Sequence, residues 1–231
     1  MGLEWNRFEI VSFDQLADAM PGLNTQPVQL SSGDLNLVVD SASANDSHIA
    51  SMSLSAKLAD RAAVSSETLG FFLAERPLTW CGLEITAPAL VLSQSGRESH
   101  SVLEPGFQSL EYFFDKKSMT HHPLAELLSK VSDEPEQSVY PLSHSTWQRF
   151  SEHANFILSL ECSLDDYGNI SALSDTLRDF QLDLLYETLA PAHCEQQIPK
   201  FSHKPRYRLT LTALKLIDSL GATGLSSAQI A

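Results

Sequence analysis

His48 and His100 are the only histidines between Gln26 and Phe114, and neither belongs to an H-x-H pair. A metal centre of the β-barrel kind needs two or three imidazoles converging from neighbouring strands. Two isolated histidines do not predict one. His121 and His122 are adjacent at a predicted helix start, where successive side chains diverge by about 100°, and they are read as surface or capping residues. Cys81, Cys162 and Cys194 form no C-x-x-C pair, so reduced thiols in a cytoplasmic protein are expected. Cys81, beside Trp80, is read as a core thiol. "SQSGRES" at 93–99 contains S-x-S-G but lacks the G-x-S-x-G elbow. There is no glycine-rich phosphate loop. Glu67, Glu75, Glu84, Glu98, Glu104 and Glu111 are scattered without pairing and are read as a solvated face. The expectation is a non-enzyme with no catalytic residue, no metal and no cofactor.

Binding remains open to such a chain. If its strands close around a hollow, inward aromatic and polar groups can hold a ligand. Met52, Phe71, Trp80 and Tyr112 are the candidates, with core packing as the plain alternative for each. "QLSSG" (Gln29 to Gly33) is read as a strand and turn rather than a binding site.

The elements that would position them follow from periodicity. In "IASMSLS", Ala50, Met52 and Leu54 alternate with serines, the mark of a half-buried strand. In "DLNLVVD", Leu35, Leu37 and Val39 share a face. In "TLGFFLAE", Leu69, Phe71 and Leu73 share one face and Phe72 lies on the other. "TWCGLEIT", "PALVLSQ", "SHSVLEP" and "FQSLEYFF" follow at intervals of about ten residues, separated by Gly and Pro turn signals. This spacing predicts an antiparallel β-sandwich or barrel.

After Asp115 the period changes. Leu124, Leu127, Leu128 and Val131 suggest a short helix, and "PEQSVYPLSHS" reads as a connection. Trp147, Phe150, Ala154, Ile157 and Leu158 recur at helical spacing. So do Leu173, Leu177, Phe180 and Leu184, widened by Leu185 and Leu189. A stripe this wide can pack on the barrel and also on a partner subunit, which makes Leu173, Leu177, Phe180, Leu184 and Leu189 the candidate dimerisation residues. An intrachain core is the alternative. "PAHCEQQIPKFSHKP" is expected to end the helix. Leu209, Ala213, Leu216, Ile217 and Leu220 predict another, capped by Gly221. Ser226 and Gln229 then form a capping box for a helix that the chain does not complete.

The chain has 231 residues, 43% hydrophobic, with formal net charge -14. Its pI of about 4.8 argues against gripping a polyanion through its bulk surface. From Lys200 onward the balance reverses, with Lys200, Lys204, Arg206, Arg208 and Lys215 against Asp218. Such asymmetry is expected at the edge of a nucleic-acid-binding module. No apolar run reaches the roughly 18 residues of a membrane span.

The succession resembles the arabinose-regulator (AraC) family of bacterial transcription regulators. The run from "VSFDQLADAMPGLNTQPVQLSSGDLNLVVD" through "SLSAKLADRAAV" looks like the start of that family's sensor half. "TLGFFLAERPLTWCGLEIT", with Trp80 and Gly82, and "ALVLSQSGRESHSVLEPGFQSLEYFF" resemble its later strands. "KPRYRLTLTALKLIDS" and "LSSAQIA" resemble the lead-in to its DNA-binding domain. The resemblance implies an α+β chain: a β-sandwich or cupin-like sensor at 1–115, a helical dimerisation segment and linker at 116–200, and the front of a truncated helix-turn-helix domain at 201–231. It implies a homodimer, promoter DNA bound through a missing C-terminal domain, and a small-molecule or protein effector. A cupin-like enzyme and a ligand-free interaction module are the rival readings.

Overall fold

The computed structural model describes residues 4–20, 22–44, 46–86, 88–131, 138–159 and 170–194. A seven-stranded antiparallel sheet runs in the order β1 (Glu4–Ile10), β4 (Leu37–Ala44), β5 (Ser47–Leu54), β12 (Phe107–Asp115), β7 (Thr68–Ala74), β10 (Ala89–Ser93) and β13 (Val139–Pro141). The second sheet orders β2 (Leu23–Thr25), β6 (Leu58–Val64), β11 (Glu98–Leu103), β8 (Leu78–Trp80) and β9 (Leu83–Ile85), with β3 (Val28–Gln29) also on β6. Four α-helices, α1 (Leu16–Ala19), α2 (Pro123–Leu128), α3 (His144–Ser159) and α4 (Ile170–Cys194), and two short 3-10 helices, Phe13–Gln15 and Lys116–Met119, complete the described elements.

The alternation in the strands decides the layering. On β12, Phe107 and Phe113 face the second sheet, while Leu110, Tyr112 and Phe114 face outward. On β7, Phe72 and Ala74 face in, and Leu69, Phe71 and Leu73 face out. Both faces of these central strands are therefore apolar, and both need cover. The second sheet covers one face through Leu58, Trp80, Leu83 and Leu103. The helices cover the other through Leu124, Trp147, Phe150, Ile157, Leu184 and Leu189. Burying a side chain such as Phe150 contributes about 1.5–3 kcal/mol. The result is three layers with two cores.

Turn and cap chemistry fixes the ends. Trp80 pairs with Leu83 across a two-residue hairpin turn. Cys81 (φ 45°) and Gly82 (φ 82°) both take positive φ, as a hairpin turn matched to strand twist requires. The Gln29 side chain donates to the Ser31 and Gly33 carbonyls at 2.9 and 2.7 Å, closing the turn after β3. His122 caps α2, its Nδ1 accepting from the Leu124 N–H at 3.2 Å with Pro123 in the first turn. Ser143 Oγ accepts from the Thr146 N–H at 3.0 Å at the start of α3.

Polar ties register the helices on the sheet and on one another. Trp5 Nε1–H donates to the Ile157 carbonyl at 3.0 Å. Arg178 bridges α4 to Asp46 at 2.7 Å. Arg149 joins Glu187 at 2.9 Å, and His122 meets Asp183 at 3.1 Å.

Several expectations change here. The segment read as a connection before α3 contributes β13, which pairs with β10 at the sheet's edge. Helix α4 runs through Pro191 to Cys194 instead of ending at the proline. The dimerisation stripe is largely internal. Leu177, Leu184 and Leu189 are buried against the chain's own sheet and helices, because α4 packs on α2, α3 and the sheet together. Among the stripe's described side chains only Phe180 is half-exposed, at 49%. Leu173 lies in α4, but its side chain is outside the described residues, and the expected helix-turn-helix front at 201–231 lies outside them entirely.

Candidate functional site

A cavity of about 70 Å³ lies between the two sheets. One water needs roughly 10–15 Å³ of such space, so the cavity holds several waters or one very small molecule. Leu37, Met52, Gly70 and Phe72 line it from the first sheet, and Leu58, Ala62, Trp80 and Leu103 from the second. Leu16 and Met20, from α1 and its end, close one side.

Into this apolar space come two carboxyl groups. Glu111 stands on β12, in phase with Phe107 and Phe113, so the alternation that buries those rings buries it too. It is 7% exposed. Its one hydrogen bond among the described residues is from Ser109 Oγ, long at 3.3 Å. Burial pushes its pKa up to about 7; the Ser109 bond opposes this, and the nearby Asp60 charge adds to it. Asp60 comes from β6 in the facing sheet. It accepts from Thr25 Oγ1 at 2.5 Å and from the backbone at Gln26 and Arg61, and burial still raises its pKa. Asp60 is thus well held, and Glu111 is not. Ser93, Ser99, Ser101 and Thr25 are the other polar side chains on the wall, and among the described residues no lysine, arginine or histidine lines it.

Of the predicted ligand residues, Met52 and Trp80 line the cavity with their side chains in the inner core. Trp80 stacks on Phe72 at 6.0 Å, and Phe72 on Phe107 at 5.8 Å. Phe71 borders the cavity, but its ring belongs to the outer core and meets Phe114 edge-on at 6.2 Å. Tyr112 is not on the cavity wall. It lies beneath α3, where its hydroxyl donates to the Phe150 carbonyl at 3.3 Å. The sequence pattern predicts a solvated face for the glutamates, and for Glu111 the structure reverses this. The available signal was its parity within "FQSLEYFF". Asp60 carries a similar one, in phase with Leu58, Ala62 and Val64 in "KLADRAAV".

His48 also points inward. Its Nδ1 pairs with Ser43 Oγ at 2.7 Å, its Nε2 is buried without a partner among the described residues, and burial lowers its pKa to about 4. Among the described residues no three His, Cys, Asp or Glu side chains group to hold a metal ion, and no helix is long and apolar enough to cross a membrane.

Two antiparallel sheets around a cavity, with helices on one outer face, define a β-rich α+β, cupin-like sandwich with a helical layer. The fold is similar to that of the AraC-like transcriptional activator CuxR, with TM-score 0.57 at 12% identity, covering 87% of this chain and 73% of that one. An oxalate decarboxylase from Bacillus subtilis matches with TM-score 0.24 at 13% identity, covering 51% of this chain and 41% of that one. No family model matches the chain, and no curated protein matches its sequence.

Proposed function

We propose that this chain is the effector-sensing and dimerisation part of a cytoplasmic transcription regulator. Its fold likeness to an AraC-like activator supports the class. The observation that carries the sensing role is the placement of β12. One face of that strand puts Glu111 in the cavity, and the other puts Tyr112 against α3. An effector between the sheets would bear on Glu111, and a shift of β12 would reach the helices through Tyr112 and Phe150. Such a relay works only if the effector prefers one of two arrangements. Homodimerisation would use the helical layer, where Phe156 (54% exposed) and Phe180 remain open among the described residues. Promoter DNA would be held by residues outside those described.

Chromatin immunoprecipitation of the natural gene product should recover a small set of promoters. Output from them should change in a Glu111→Gln variant that keeps its fold. Recovery of no promoter would overturn the reading.

A further inference from the structure

Two carboxyl groups from opposite sheets share the inter-sheet cavity, and among the described residues no basic side chain lines it; the His100 charge acts on Asp60, not on Glu111. Asp60 is satisfied by the protein through Thr25 and two backbone bonds. Glu111 has one long bond from Ser109, although burial of an under-bonded carboxyl costs free energy. Aromatic rings stand around it: Phe72 and Phe113 beside Glu111 in its own sheet, and Trp80 from the facing sheet. A carboxyl group beside aromatic rings in a small, mostly apolar space is the chemistry that recognises an ammonium ion, through a charge-assisted hydrogen bond and attraction to the ring faces. The same arrangement repels a carboxylate or phosphate.

We infer that the effector site takes a small organic cation, a primary or quaternary ammonium with a short apolar body, with Glu111 as its counter-ion. The inference rests on the sensor reading above. Size limits the ligand: about 70 Å³ corresponds to roughly five to seven water-sized groups. Longer molecules are excluded unless α1 moves aside. Glu111 is the recognising group because Asp60 is already bonded.

The test is isothermal titration calorimetry of the whole chain with n-propylammonium and tetramethylammonium, against n-propanol and propionate. The ammonium ions should give saturable heats and the others should not. Glu111→Gln should weaken the ammonium ions by about tenfold or more, the loss of one charged hydrogen-bond partner. A second readout needs no variant. Just below neutral pH, ammonium binding should release protons from Glu111, seen as a dependence of the heat on the buffer's ionisation enthalpy. Propanol or propionate binding as tightly as the ammonium ions would overturn the cation and leave the sensor reading intact. No saturable binding of the ammonium ions up to about 0.1 M, an affinity weaker than about 1.4 kcal/mol, would also overturn the cation, while the sensor reading stands or falls on the promoter experiment.

Discussion

Glu111 and Tyr112 are neighbours on β12 and serve opposite layers. Glu111 ends in the cavity between the sheets, and Tyr112 ends against the helices, its ring edge-on to Phe150 at 5.9 Å and its hydroxyl on the Phe150 carbonyl. β12 is the fourth of seven strands, paired on both sides by β5 and β7. The strand between them has a hydrogen-bonded neighbour on each side, so under the proposed sensing role it is the element that would link the cavity to the helices.

The first prediction concerns Glu111 and pH. Folded, it keeps its proton to about 7; unfolded, it ionises near 4.5. Between those values the folded state binds a proton that the unfolded state has released. Raising the pH through that window therefore costs stability, by up to ~3 kcal/mol. The charged group facing it is Asp60, whose ionisation adds to the penalty. Glu111→Gln removes the penalty. Its melting temperature relative to wild type should rise steadily from pH 4.5 to about pH 8. A pH-independent difference would mean that Glu111 is not buried as described.

His48 has the opposite sign. Burial lowers it from 6.5 to about 4, so as pH falls through that window the unfolded chain takes up a proton that the fold refuses. Stability is complete above pH 6.5 and falls by up to ~3 kcal/mol toward pH 4. His48→Phe, beside Phe113 at 5.9 Å, should reduce the acid sensitivity of unfolding in urea. Equal acid sensitivity in the variant would place the responsible group elsewhere.

Gly70 tests the packing beside the cavity. A Cβ there would meet Val64 Cγ2 at 3.1 Å and Phe113 Cε1 at 3.2 Å. Gly70→Ala must push the Phe113 ring, which lines the cavity, and overpacking of this kind costs about 1–3 kcal/mol. Chemical denaturation should show the loss, and any ligand bound in the cavity should weaken with it.

Strand alternation made the two-core arrangement legible: Phe72 was placed opposite Phe71 from "TLGFFLAE" alone, and both lie where the parity puts them. The helical spacing of Trp147, Phe150, Ala154 and Ile157 was equally readable. Glu111 was missed because residue type outweighed phase: a glutamate suggests surface, although its position in "FQSLEYFF" is inward. Strands of two or three residues, such as β3 and β13, have too few positions for a period. The width of the α4 stripe was visible, but width does not say which layer covers it. Tertiary packing assigned Leu184 and Leu189 to the chain itself and left Phe180 outside.

That division gives the last prediction. Phe180 is half-exposed and stacks on His153 of α3 at 4.7 Å. Both ring nitrogens of His153 are buried without a partner among the described residues, and burial lowers its pKa to about 4. The His153 and Phe180 rings, with the exposed Phe156 one helical turn along α3, present apolar surface on the helical layer. If two copies associate there, Phe180→Asp introduces like charge and desolvation at the contact while touching little of the core. Sedimentation should show a concentration-dependent dimer for wild type and a monomer for Phe180→Asp, with unfolding changed by no more than about 0.5 kcal/mol, as for a surface substitution. Leu184→Asp is the control. Leu184 is 2% exposed, so an unpaired charge there should cost several kcal/mol, roughly 3–5, and unfold the chain instead of dissociating it. A wild type that remains monomeric at the highest concentrations would remove the helical layer from the dimer contact.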